Sequence, residues 1–211
     1  MLARQTIRQQ YLVTWEVDDD QVANTLPCDF QPALANGRGL VSLTAFRVHQ
    51  VRLGPLPAPG FRQINVHTYV IDPDGNPAMF FFLFRTTTVG LAQLPLGVPV
   101  RSTVIRIDES GFSAGGLGVT CTFSDEAAPL RIPALDPPLG SHEIGYWQAA
   151  GLRTVTTRHP TPQWRALVPV AGCRFDPILA LGFDVHEPTW SLHAESTQIE
   201  VELPPRKLYR G

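Results

Sequence analysis

Proline and glycine interrupt this chain at short intervals, 20 of one and 17 of the other, and leave little room for long helices. Between them lie β-branched and aromatic runs of strand length. Tyr11–Val17 reads as a first strand. Asp18-Asp19-Asp20 supplies an N-cap for a short helix through about Leu26, which Pro27 stops. Gly39–Val48 is a strand with Ser42, Thr44 and Phe46 on one face and Val41, Leu43 and Ala45 on the other. A rigid connector, Gly54–Gly60, leads into the run 61–71, and Asp72-Pro73-Asp74-Gly75-Asn76-Pro77 turns that run back as an antiparallel hairpin with Ala78–Thr87. The second arm is apolar on both faces and suits a central strand. Another hairpin is expected from 98–107 and 111–123. Strands follow near 152–158, 163–171, 181–187 and 196–203, with short helical pieces at 89–94 and 176–181, and 127–140 reads as a long surface loop. No repeat or linker divides the chain. The expectation is one mainly β domain over 1–211, a twisted antiparallel β-barrel or sandwich with a few short helices.

Bulk properties narrow the function. Net charge is −2 and the isoelectric point is near 6.3, which argues against nucleic acid as a partner. Charged residues make up only 17%, as a large buried sheet would require. Met1–Thr6 has no apolar signal core, and the aromatic run Met79–Phe84 is far short of the ~20 residues that cross a bilayer. A cytoplasmic protein with no membrane partner is expected. Cys28, Cys121 and Cys173 are widely spaced and read as buried free thiols. Lys207 is the only lysine, so any chemistry through a lysine imine must use it.

The run 61–70 carries the chemistry. Its alternation places Phe61, Gln63, Asn65, His67 and Tyr69 on one face and Ile64, Val66, Thr68 and Val70 on the other. The polar face is either solvated or the lining of a cavity. In the second case His67 is the acid or base, and Gln63 and Asn65 orient a polar ligand. Phe81 belongs to an apolar wall with Phe80, Phe82 and Phe84. Arg85, read as sharing a face with Met79, Phe81 and Leu83, could clamp a carboxylate, as could Arg101. His186 and His193 are seven residues apart and point to opposite faces of a strand. With no HxH, HExxH or Cys/His cluster, no metal is expected. His49, His142 and His159 have no partner spacing and read as surface or loop residues. Gly115-Gly116-Leu117-Gly118 lacks both a Walker lysine and a dinucleotide spacing, and reads as a bulge or tight bend.

Several segments together resemble the bacterial YqjF-like family of unknown function (DUF2071-type), within the acetoacetate decarboxylase-like superfamily. They are Val13–Asp18, Leu26-Pro27, Gly37–Phe46, Phe61–Val70 and His186-Glu187-Pro188-x-Trp190. Two positions depart from that family, which usually has Glu at Gln63 and Arg at His67. The resemblance implies a twisted antiparallel β-barrel with an internal pocket, often dimeric. In true decarboxylases a Gly-Phe-Pro-Lys-Lys segment carries an imine-forming lysine activated by its neighbour. The local counterpart is Gly97-Val98-Pro99-Val100-Arg101, with valine at the nucleophile position. The expected function is therefore binding of a small organic ligand, a carboxylate among the candidates, with no cofactor and no lysine-imine decarboxylation. The alternatives are a non-covalent lyase or isomerase with His67 as acid/base, and an interaction protein with a filled barrel. A homodimer is compatible with exposed sheet edges.

Overall fold

The computed structural model describes residues 2–88, 100–124, 126, 129–130, 135, 137–139, 141–149 and 151–208. Its first half holds strands β1 (Leu2–Val17), β2 (Gln31–Pro32), β3 (Gly39–Leu53), β4 (Leu56–Ala58), β5 (Phe61–Ile71), β6 (Pro77–Thr86) and β7 (Arg101–Ser102), with helix α1 (Asp19–Ala23). There follow β8 (Arg106–Asp108), β9 (Gly111–Ala114), β10 (Val119–Ser124), β11 (Ile144–Ala149), β12 (Gly151–Arg158), β13 (Arg165–Ala166), β14 (Val168–Pro169), β15 (Arg174–Phe175), helix α2 (Asp176–Ala180), β16 (Trp190–Glu202) and β17 (Arg206–Lys207).

The long strands pair in the order β16-β1-β3-β5-β6-β11-β12, and β12 pairs back onto β16, closing the sheet into a ring. The short strands β2, β4, β7, β13 and β17 attach along it. A second sheet, β14-β10-β9-β8 with β15 beside β10, covers part of the outside. Between the two sheets lies the main apolar core. Tyr11, Val13, Trp15, Val41, Leu43, Ile64 and Val66 from the ring meet Ile107, Phe112, Val119 and Phe175 from the second sheet. Period-two alternation makes this core possible, and the same alternation turns Thr44, Phe46, Asn65 and His67 to the inside of the ring. The fold is thus mainly β, twisted and two-layered, as expected. None of the described helices is long and apolar enough to cross a membrane.

Two irregularities re-aim side chains. In β1, Gln9 has a left-handed φ of 51, and the register against β3 shifts between Arg8 and Tyr11. Residues three apart on a regular strand face opposite ways, but Ile7 and Gln10 both turn inward here. In β6 the register against β5 passes from Val66↔Leu83 to His67↔Phe81, which leaves Phe82 as the extra residue. Phe81 and Phe84 consequently both face the interior, and Phe82 packs outward near Phe183, ring centroids 6.0 Å apart.

The turn between β5 and β6 is tied by Asp72. Its carboxylate accepts the backbone N–H of Asp74 at 2.9 Å and of Asn76 at 2.8 Å, and the Tyr146 hydroxyl from β11 at 2.8 Å. These donors hold its pKa below the usual carboxylate value against the opposing effect of burial, the largest single influence. α1 begins where expected, but the Asp18 carboxylate pairs with Arg38 instead of capping the helix.

Several local expectations change. β1 begins at Leu2, well before Tyr11. β11 was not anticipated, and residues 181–187 form no strand. β11 runs parallel to β6, as β7 does, so the sheet is not wholly antiparallel; the long connection from β6 to β11 passes through the second sheet and permits this crossover. Gly115–Leu117 is a single 3-10 turn that splits the expected strand 111–123 into the hairpin β9–β10. The helix expected at 89–94 lies outside the described residues. Of the expected surface loop 127–140, Leu135 and Leu139 are buried and pack with Leu12, Leu40, Tyr69 and Leu192.

Candidate ligand-binding cavity

Inside the ring is a cavity of about 210 Å³. β5 supplies the whole inward row of its alternation, Phe61, Gln63, Asn65, His67 and Tyr69. β6 contributes Met79, Phe81 and Phe84, β11 contributes Trp147, and β16 contributes Thr197 and Ile199. Gly145 faces Phe81 directly: a Cβ there would sit 2.9 Å from the phenyl ring, so glycine leaves room for Phe81 against β11.

Polar groups run in sequence from the wall into the buried layer behind it. His67 Nε2 is 3.3 Å from Tyr69 Oη. Ser42 Oγ donates to the same phenolic oxygen at 3.3 Å and lies 2.7 Å from Thr14 Oγ1. All four residues are buried. Gln63 Nε2 donates to Asn65 Oδ1 at 2.7 Å. Three further polar atoms of lining residues, His67 Nδ1, Gln10 Oε1 and Thr197 Oγ1, have no protein partner. Buried groups left this way cost free energy, and a bound molecule is one means of satisfying them.

Burial dominates the electrostatics. His67 is 3% exposed, and its pKa falls to about 3, first through loss of hydration and then through His142. Its imidazole is neutral near pH 7 and a weak base, able to give or take a hydrogen bond. Burial raises the Tyr69 phenol, which stays protonated. His142 lies against Tyr69 with ring centroids 4.9 Å apart; it is fully buried and neither ring nitrogen has a partner. Burial, then His159, brings its pKa down to about 4.

Gln63, Asn65, His67 and Phe81, singled out from the sequence, line the cavity together. Arg85 and Arg101 do not. The extra residue Phe82 reverses the phase of β6, so Arg85 sits opposite Ile64 on the outer face, not with Phe81. Its guanidinium donates to the Phe84 carbonyl at 2.9 Å, and burial and then Arg101 lower its pKa. Arg101 is its exposed neighbour across the β6–β7 pairing. Among the described residues, none that lines the cavity is Asp, Glu, Lys or Arg. Val100 lines the cavity, whereas Lys207 lies exposed on β17 away from it.

The remaining histidines and cysteines divide differently from expectation. His159, read as a surface residue, lines the cavity, and His142 is in the interior. Neither carried a sequence signal, since both flank irregular proline-rich chain. His186 is exposed and His193 is buried beside Tyr11, with ring centroids 4.8 Å apart. Among the described residues no three His, Cys, Asp or Glu side chains come together as metal ligands. Cys28 is exposed, contrary to its reading as a buried thiol, because it follows Pro27 in the turn after α1.

Solved structures share this architecture. An acetoacetate decarboxylase-like enzyme from Sphingomonas wittichii RW1 superposes with a TM-score of 0.65 at 14% identity, over 100% of this chain and 94% of that one. Acetoacetate decarboxylase from Legionella pneumophila gives 0.62 at 12% identity, over 98% and 87%. The enduracididine biosynthesis enzyme MppR, complexed with pyruvate, gives 0.59 at 14%, over 99% and 91%. At such identities the likeness establishes the fold alone. No curated protein matches the sequence. A family model does match, over residues 4–202, and by it the chain belongs to the DUF2071 family, described as an uncharacterized conserved protein.

Proposed function

We propose that this protein binds a small, uncharged organic molecule inside the ring, without covalent attachment. The observation that carries this reading is the composition of the cavity wall, which combines aromatic surface and hydrogen-bonding side chains and, among the described residues, includes no carboxylate, lysine or arginine. An apolar body with a few polar atoms suits such a wall. A carboxylate would lose its hydration with no arginine or lysine among the described lining residues to receive it, a cost of several kcal/mol. The two arginines considered as anchors lie off the cavity, which moves the expected ligand from a carboxylate to a neutral compound. Val100 on the wall and Lys207 outside it speak against an imine mechanism. His67 as catalytic base is disfavoured by its lowered pKa, and a fully packed interior by the cavity itself.

The test is a matched ligand series: small aromatic and branched aliphatic carboxylic acids, each with its primary amide and methyl ester. Thermal shifts are recorded at pH 7.5 for the wild type and for Phe81→Ala. Amides or esters should raise Tm, the parent carboxylates should not, and the alanine variant should weaken the response. Carboxylates giving the largest shifts would sink the neutral-ligand reading.

A further inference from the structure

We infer that Cys121 and Cys173 are a disulfide-forming pair. Cys121 lies in β10 and is 1% exposed, and Cys173 immediately precedes β15 and is half-buried. Their sulfur atoms are 2.8 Å apart, closer than non-bonded sulfurs normally approach and only about 0.8 Å beyond a disulfide bond. The backbone explains the proximity. β10 and β15 pair as Val119↔Phe175 and Thr120↔Arg174, and one further step of that register sets Cys121 opposite Cys173. The Asp176 N–H donates to the Gly118 carbonyl at 3.2 Å, and alternation of the ladder then makes 121 and 173 a non-hydrogen-bonded pair, the kind with the closer Cα atoms. That spacing lies within the range disulfides span, so the bond forms with side-chain adjustment and no change of register.

The two thiols differ in access. Cys121 is enclosed by the core between the sheets, and burial and then Cys173 raise its pKa. Cys173 is the partner an external reagent reaches first. With oxidised glutathione as oxidant, the Cys173 thiolate attacks one glutathione sulfur and expels glutathione thiolate. The Cys121 thiolate then attacks the Cys173 sulfur of the mixed disulfide and expels the second. Two protein thiols become one disulfide, glutathione disulfide is reduced to two glutathiones, and the two thiol protons pass to them. Cys28 is exposed, with its sulfur 3.6 Å from the Asp29 carboxylate; it belongs to the turn after α1 and has no part in the pair.

The experiment uses the full-length Cys28→Ser variant, which keeps only this pair. The reduced protein is incubated with oxidised glutathione, then analysed by intact mass and by tryptic mapping without reductant. The expected result is loss of both thiols, a mass lower by about 2 Da with no glutathione adduct, and a crosslink between peptides 107–131 and 166–174. The oxidised form should also melt several degrees higher than the reduced form, because the bond closes a long loop of chain. A stable glutathione adduct on Cys173 without ring closure, or two thiols still free, would overturn the inference. Since the mass readout needs no further substitution, it does not depend on whether a Cys121 variant folds.

Discussion

Tyr69 joins two environments, the cavity wall through His67 and the apolar cluster around Leu139 through its ring, and it also accepts a hydrogen bond from the buried Ser42. Removing only its oxygen tests that position. Tyr69→Phe leaves Ser42 and the Nε2 of His67 without their phenolic partner, and denaturant midpoints should show a loss of about 1–3 kcal/mol. His67 and His142 make the fold sensitive to acid. Both have folded-state pKa values depressed to about 3 and about 4, against 6.5 in the unfolded chain. Between these values the unfolded chain binds more protons than the folded one. The stability these residues contribute is therefore complete above pH 6.5 and is lost as the pH falls toward 4 and 3. Urea melts should show lower stability at pH 5 than at pH 7.5, by on the order of a few kcal/mol, since one pKa unit is worth about 1.4 kcal/mol. His142→Gln should flatten that dependence. An unchanged slope would assign the acid sensitivity to other groups.

Strand β5 was readable because its two faces differ in chemistry at every step from Gln63 to His67, so the face pattern survives into the ring unchanged. Its partner β6 was not. Met79–Phe84 is apolar on both faces, and an inserted residue in such a run leaves no mark on the pattern. One unseen bulge was enough to put Arg85 on the wrong side. Gln10 was hidden for a related reason, since Gln9-Gln10 reads as ordinary surface polarity until a left-handed residue redirects it. His142 followed no strand rule, because it lies outside regular structure in a segment buried by tertiary packing alone. The bend at Gln9 offers its own test. Glycine adopts its φ of 51 without a Cβ penalty, so Gln9→Gly should raise stability by about 1 kcal/mol, and β-branched Gln9→Val should lower it by at least as much, as read from thermal or urea melts.

The ring is uneven around its circumference. β1 and β16 run together from Leu2↔Glu202 to Thr14↔Trp190, whereas β12 and β16 meet only at Thr157↔Val201 and Arg158↔Glu200. An exposed ion pair, Arg158 with Glu202 at 2.9 Å, sits beside that short seam and adds little in solvent. Amide hydrogen exchange should be fast at 157–158 and slow along β1 and β3, and a bound ligand should slow it at the seam, because Thr157 and Val201 both line the cavity. Equal protection around the whole circumference would contradict a seam. The placement of β1 between β3 and β16 also bears on how the molecule is made. Synthesis runs from the N-terminus, so β1 acquires β3 early and waits for β16 until all the strands between them have been made. During that interval a long hydrogen-bonding edge stands open to any neighbouring polypeptide. The protein's demand on holding chaperones is thus set by its strand order, and a more stable finished ring would not reduce it.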